Sequence, residues 1–333
     1  VTLVVPGLFG PALTPPQLTL PGLETLLARG DRIDDEREFE ALLFDLFDIR
    51  AEAGQDLPVA AVTRVLDLGV IDKSWWLRVD PVHLRPDRDR LLLADATMLH
   101  LTQEEADQLV AEVMETYAGE GWVLKAARPN RWYLRPPTVP NIKTWPLPVV
   151  VGRNIHDYLP QGPDAKRWHT LLNELQILLH TARVNQAREQ SGALTINSLW
   201  FWGGGRLPEL KQVRWTRVWT AEPVSLALAR LCEAPSAPVP AGAREWLDIA
   251  EAPGEHLIVL DEARSAVQYG DVETWGSFVE NLEAEWIIPL LAALRSKTLE
   301  YLALYTESAR GFTLNVKTRR RWWRRRRRLN SYR

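Results

Sequence analysis

"INSLWFWGGG", residues 196–205, runs a strand-like segment with two tryptophans straight into three glycines. A backbone stripped of side chains beside large aromatic walls means that something approaches it closely, a ligand or another piece of chain. Gly203, Gly204 and Gly205 can offer backbone N–H groups to an anion with Arg206 beside them. A tight turn under a packed aromatic strand accounts for the same residues.

Upstream, "DAKRWHTLLNELQILLHTA" places Trp168, Leu171, Leu172, Leu175, Leu178 and Leu179 on one helical face. His169, Asn173, Gln176 and His180 form the opposite stripe, with the two histidines three turns apart, too far to chelate one ion. "LTQEEADQLVAEVMETYAGEG" opens on Thr102 and Glu105 at capping-box spacing, and "WVLKAARPNRWYLR" reads as a hairpin turned at Pro129-Asn130. "VTLVVPG" is a buried strand stopped by Pro6-Gly7, and "LPVAAVTRVLDLG" a helix ending at Gly69. "HLIVLDEA" reads as a strand and "WGSFVENLEAEWIIPLLAALRS" as one long amphipathic helix, and "YLALYTE" and "GFTLNVK" finish the core.

Strands alternating with helices predict an α/β fold, a central sheet flanked by helices. The segment 97–190, bracketed by strands of the larger unit, reads as an inserted α+β domain between core parts 1–96 and 191–318. Residues 319–333 form a basic tail.

At 333 residues and 46% hydrophobic, the chain is long enough for one large core with an insertion. No apolar run reaches the ~18–20 residues of a membrane span. Cys232 is the sole cysteine, which excludes internal disulfides and a thiolate zinc site and fits a reducing, cytoplasmic setting. Ten basic residues lie from Lys317 onward, so the rest of the chain carries 30 basic against 43 acidic residues.

Among donors of metal-ligating type, "DPVHLRPDRD" offers Asp80, His83, Asp87 and Asp89. Arg85, Arg88 and Arg90 interleave them, so an Asp–Arg network is the competing reading. Neither a G-x-S-x-G elbow nor a phosphate-binding G-x-x-x-x-G-K-[ST] loop is present. Arg153 and Arg188 sit in loop-like contexts where a phosphate or carboxylate can be forked.

"GRNIHDYLPQG", "LLNELQILLHTARVNQAREQSG" and "INSLWFWGGGRLPEL" occur in an order that resembles the archaeal-type cofactor-independent phosphoglycerate mutases of the alkaline phosphatase superfamily. The matching positions are Gly152, Ile155, Tyr158, Leu159, Pro160 and Gly162; Asn185, Arg188 and Gly192; and Asn197, Trp200, Trp202, Gly203 and Gly205. The chain also resembles a bacterial group of mutase-like proteins, the RpfE-type regulatory proteins. The resemblance implies an alkaline-phosphatase-like sheet, a two-metal centre and a serine nucleophile. It also makes Asn185, Arg188, Asn197, Trp200, Trp202 and Gly204, with Arg153 and Arg206, the ligand-binding candidates.

The outer motifs depart from that pattern. Pro6 stands where such proteins carry a metal-binding aspartate after the first strand, and Val59 and Ala60 where they carry the serine. "LDEARSAVQYGD" and "LYTESARGF" lack the expected histidines, the latter offering Thr306 and Glu307. A two-metal phosphotransferase needs those ligands and that nucleophile. The expectation is a catalytically degenerate protein without a cofactor, acting by binding or regulation, with a phosphorylated or acidic metabolite as candidate ligand. The alternatives are an active mutase or hydrolase with ligands relocated to Asp80, His83, Asp87 and Asp89, or binding of nucleic acid or an anionic surface through Arg320, Arg321, Trp322, Trp323, Arg324 and Arg325. The same tail can instead dock on its own acidic body.

Overall fold

The computed structural model describes all residues except 12–17, 35–37, 51–53, 88–89, 212, 251–252, 307–309 and 333. Its strands, in chain order, are β1 (Thr2–Val4), β2 (Asp31–Asp34), β3 (Trp76–Asp87), β4 (Arg90–Ala94), β5 (Val123–Arg128), β6 (Arg131–Arg135), β7 (Ser198–Gly205), β8 (Trp215–Trp219), β9 (Ser236–Ala237), β10 (Glu255–Val259), β11 (Tyr301–Tyr305) and β12 (Arg310–Asn315). They divide between two compact units, Val1–Asp48 with Leu210–Arg333, and Ile49–Glu209.

The first unit is built on a seven-stranded sheet, ordered β2-β12-β11-β1-β10-β8-β9. β11, β1, β10, β8 and β9 run parallel, and β12 and β2 close one side antiparallel. β1 lies mid-sheet between β10 and β11, which explains why "TLV" is apolar on both faces. Helices cover the sheet, and Leu3, Ile258, Leu302 and Leu304 meet Trp275, Trp286 and Leu290 in one core. The α/β architecture expected from the sequence is the one observed.

The long C-terminal helix differs from its expected regular form. It runs as α-helix over Val272–Asn281, widens to a π-helix over Leu282–Ile287 and resumes over Ile288–Ser296. Pro289 has no N–H to give a carbonyl one turn back, and a π segment just ahead of it absorbs that mismatch. Glu283 sits in the widened turn and accepts N–H groups of Gly22 at 2.6 Å and Leu23 at 2.7 Å. It thereby caps the helix Pro21–Arg29 from a distant part of the chain.

The second unit, one continuous piece of chain, carries the five-stranded sheet β4-β3-β6-β5 with β7 paired to β3. Its bounds are wider than the expected 97–190. β3 pairs with β6, β7 and β4, and those antiparallel ladders bind residues 76–94 and 198–205 into the same sheet. The helix Gln103–Thr116 has the full capping box of Thr102 with Glu105. On the helix Ala165–Thr181, Trp168, Leu171, Leu172, Leu175 and Leu179 are buried as the periodicity predicts, while Leu178 is half-buried.

Candidate functional site

The glycines of β7 are explained within the second unit. Gly203 holds φ +64°, and a methyl group there would lie 2.9 Å from Val59. At Gly204 it would run into the Trp75 ring, and at Gly205 it would lie 2.6 Å from Pro58. Trp75 and the start of the helix Val59–Leu68 thus occupy the space that the missing side chains leave. The Gly204 N–H does meet an anion, the chain's own Asp56. That carboxylate also accepts the Thr144 N–H at 3.0 Å and the Thr144 hydroxyl, and burial outweighs these bonds to push its pKa up.

Asn185, Asn197, Arg188 and Trp200 are tied into the fold, whereas Arg153 and Arg206 are exposed. Asn185 donates to the carbonyls of Leu179 and Ile196 at 2.7 Å and accepts the Ile196 N–H at 2.8 Å. Asn197 bridges to β3, accepting the Leu84 N–H at 2.7 Å and donating to its carbonyl at 2.9 Å. Buried Arg188 spreads its guanidinium over Leu194 O, Glu105 Oε1 and Leu99 O. Trp200 donates to Trp145 O at 3.0 Å, and Arg206 to Lys73 O. Arg153 lies exposed, with Nη1 3.0 Å from the Tyr158 hydroxyl.

Nor do the metal-type donors converge. Asp80 is fully buried and forked by Arg78, Nε to Oδ1 at 2.9 Å and Nη2 to Oδ2 at 2.7 Å. It also accepts the Trp202 indole N–H at 2.7 Å and the Trp132 backbone N–H at 3.2 Å, so its lone pairs are taken. His83 bonds Thr195 O through Nδ1 at 2.8 Å. Asp87 is exposed at the far end of β3, seven residues and roughly 23 Å of strand from Asp80. Asp89 lies outside the described residues. An Asp–Arg pairing does form, but with Arg78, two residues away on the same strand face, rather than with Arg85. That period-2 signal was available in the sequence.

In the first unit the place where α/β folds hold ligands is the carboxyl edge of the parallel strands. Here β1 runs into Pro6-Gly7, β10 into Leu260-Asp261-Glu262, β11 into Thr306 and β8 into Thr220-Ala221-Glu222. Glu307 lies outside the described residues. Pro6 is buried, and its neighbour Gly7 turns with φ +77° while its carbonyl takes the Trp275 indole N–H at 2.9 Å.

Glu222, which the sequence reading passed over, is buried and caps the helix Pro223–Leu231. Its carboxylate accepts the N–H of Val224 at 2.9 Å and the N–H and hydroxyl of Ser225 at 2.7 and 2.8 Å. The acidic residue ahead of Pro223 was the legible signal for such a cap. Burial pushes the pKa of Glu222 up against those bonds, and burial likewise raises that of half-buried Asp261, which Arg264 offsets only in part. A cleft of about 590 Å³ opens beside β10, walled by Leu260, Phe278 and Trp286 and edged by Glu262, Asn281 and Glu285. No cation lines it among the described residues.

The two-metal centre implied by the resemblance does not fit these residues. Pro6 has no donor atom, and Glu222 gives both oxygens to its own helix. The only histidine of this unit, His256, is the second residue of β10, buried against Trp219 and Trp246. Among the described residues no group of three or more His, Cys, Asp or Glu side chains is arranged to hold a metal ion.

The tail is docked. Arg321 forks Asp31, with Nη2 3.3 Å from Oδ2, and Arg324 donates to Gly30 O at 2.8 Å. Leu329 and Tyr332 are buried in the core of the first unit. Arg320, Arg325, Trp322 and Trp323 remain exposed. No helix among the described residues is long and apolar enough to cross a membrane.

The sequence is homologous to cofactor-independent phosphoglycerate mutases. It is 26% identical over 162 residues to a probable 2,3-bisphosphoglycerate-independent phosphoglycerate mutase of Geobacter sulfurreducens, covering 46% of this chain and 38% of that protein. A 62-residue stretch is 36% identical to the 2,3-bisphosphoglycerate-independent phosphoglycerate mutase of Methanosarcina acetivorans, covering 19% of this chain and 16% of that protein. The matches thus span well under half the length of these relatives. No family model matches the chain.

The fold is similar to that of a Pyrococcus horikoshii protein, with a TM-score of 0.53 at 12% identity, covering 94% of this chain and 87% of that one. The cofactor-independent phosphoglycerate mutase of Thermoplasma acidophilum aligns with a TM-score of 0.45 at 16% identity, covering 94% and 89%.

Proposed function

We propose that the chain is a catalytically degenerate relative of the cofactor-independent phosphoglycerate mutases, of the RpfE-type regulatory kind, acting by binding rather than by turnover. The observation that carries this reading is Pro6 at the carboxyl end of β1, the middle strand of the seven-stranded sheet. A metal ligand is required there, and proline offers no side-chain donor. Glu222 supports the same conclusion, because both its oxygens already accept hydrogen bonds from the helix that follows it. A bound phosphoryl group also needs counter-charge, and the cleft beside β10 is edged by carboxylates instead.

The test is a phosphoglycerate mutase assay with manganese, cobalt or zinc, run alongside elemental analysis of the metal-incubated, desalted protein. The expected result is no turnover above buffer and less than about a tenth of an equivalent of metal bound. Turnover abolished by EDTA, with one or two equivalents retained, overturns the proposal.

A further inference from the structure

The tail folds back as a strap held at both ends. At its start, Asn315 Oδ1 accepts the N–H groups of Lys317 at 2.9 Å and Thr318 at 3.0 Å, and Arg321 grips Asp31. At its finish, Leu329 and Tyr332 are buried, and Tyr332 meets Phe312 edge-on at 6.2 Å. Between these anchors Arg325, Arg326, Arg327 and Arg328 are exposed and form no ion pair with the described residues.

Docking creates a cleft of about 600 Å³ between strap and body, edged by Arg32, Arg324, Arg325, Arg327, Ser331 and Tyr332. No carboxylate lines it among the described residues. Just ahead of Arg324 stand two bare indoles, Trp322 at 80% and Trp323 at 63% exposure, with ring centroids 6.1 Å apart and planes at 84°.

Four guanidinium groups edge this cleft, and the nearby Asp31, gripped by Arg321 and 4.0 Å from Arg324, offsets only part of their charge. The remaining excess is repulsive, and leaving two indoles in water forgoes their burial, so packing explains neither feature. Together they match one ligand. Guanidinium forks suit phosphate oxygens, and aromatic faces suit unpaired bases. A duplex hides its bases, and a membrane presents a plane rather than a strand that can lie in a cleft. We infer that the docked strap binds single-stranded nucleic acid, with Arg32, Arg325 and Arg327 on backbone phosphates and Trp322 and Trp323 stacking on bases.

The experiment uses the full chain, because truncating the strap removes Leu329 and Tyr332 from the core. Fluorescence anisotropy follows a labelled oligouridylate of about 12 nucleotides and its DNA counterpart, with inorganic polyphosphate as competitor and phosphatidylserine–phosphatidylcholine vesicles in a parallel flotation assay. Three phosphate contacts predict a log–log salt slope of about −2. Arg325→Ala with Arg327→Ala flattens it to about −0.7. Trp322→Ala with Trp323→Ala weakens binding about tenfold or more at unchanged slope. These side chains are exposed, so melting temperatures report whether each variant still folds.

Lack of binding at low salt overturns the inference, as does binding that the strap variants leave unchanged. Polyphosphate that competes equally with wild type and the tryptophan variant reduces the site to a phosphate cleft. Vesicle capture without oligonucleotide binding makes it a lipid surface. Either result also overturns the inference.

Discussion

Two of the places where this protein sets arginine near tryptophan are opposite in kind. Inside the second unit Arg78 is buried, forked onto Asp80, and lies 5.0 Å from the Trp202 ring and 5.5 Å from the Tyr133 ring. Next to it Asp67 takes the Arg131 fork and the Tyr133 hydroxyl at 2.6 Å. In the strap of the first unit the same residue types lie on the surface, with Asp31 as the carboxylate that Arg321 grips. Composition is therefore a poor guide to what an arginine does. A guanidinium with an acid on its fork and rings on its faces is a structural tie; one exposed in a cleft without an acid is available to a ligand.

The largest expected effect breaks the interior arrangement. Arg78→Met leaves Asp80 buried without its cation and should cost about 3–5 kcal/mol in urea or thermal unfolding. A loss below about 1 kcal/mol would mean that the fork is dispensable. On the strap, Leu329→Ala should cost about 2–5 kcal/mol and release the Arg-rich stretch for faster cleavage by trypsin. An unchanged digestion rate would show that the strap is held by polar contacts instead.

Acid distinguishes the two settings further. Burial raises the pKa of Asp67, but Arg131 and Tyr133 outweigh it and hold the carboxyl below its ordinary value. A depressed folded pKa contributes stability that is present above the unfolded value and lost as pH falls through the folded one. Unfolding free energy should therefore drop below the ordinary carboxylate range, and Asp67→Asn should flatten that drop. Asp31 is also lowered, first by its hydrogen bond from Arg321, yet it is solvent-screened. Asp31→Asn is the smallest effect, under about 1 kcal/mol, read as faster hydrogen exchange over residues 318–324 with an unchanged core.

Much of the fold was legible because it is written in local chemistry. The Thr102–Glu105 capping box, the Pro129-Asn130 hairpin turn and the apolar stripe from Trp168 to Leu179 each need only neighbouring residues. The site was less legible. Asn185 and Asn197 stood as ligand-holding candidates through the family resemblance, and Arg188 also through its loop-like context, but their partners are carbonyls, N–H groups and the Glu105 carboxylate brought in by tertiary pairing. Glu222 was missed although its place ahead of Pro223 marked a helix cap.

The sequence by itself determined the element types, the α/β class and the proline after β1, since periodicity, turn residues and side-chain chemistry are local properties. Only the tertiary structure decided that Trp75 and Pro58 fill the space over the glycines, that Asp80 belongs to Arg78, and that the tail lies docked with a cleft beneath it. Those outcomes depend on which distant groups meet at van der Waals and hydrogen-bond distance, and contacts of that kind leave no periodic trace along a single chain.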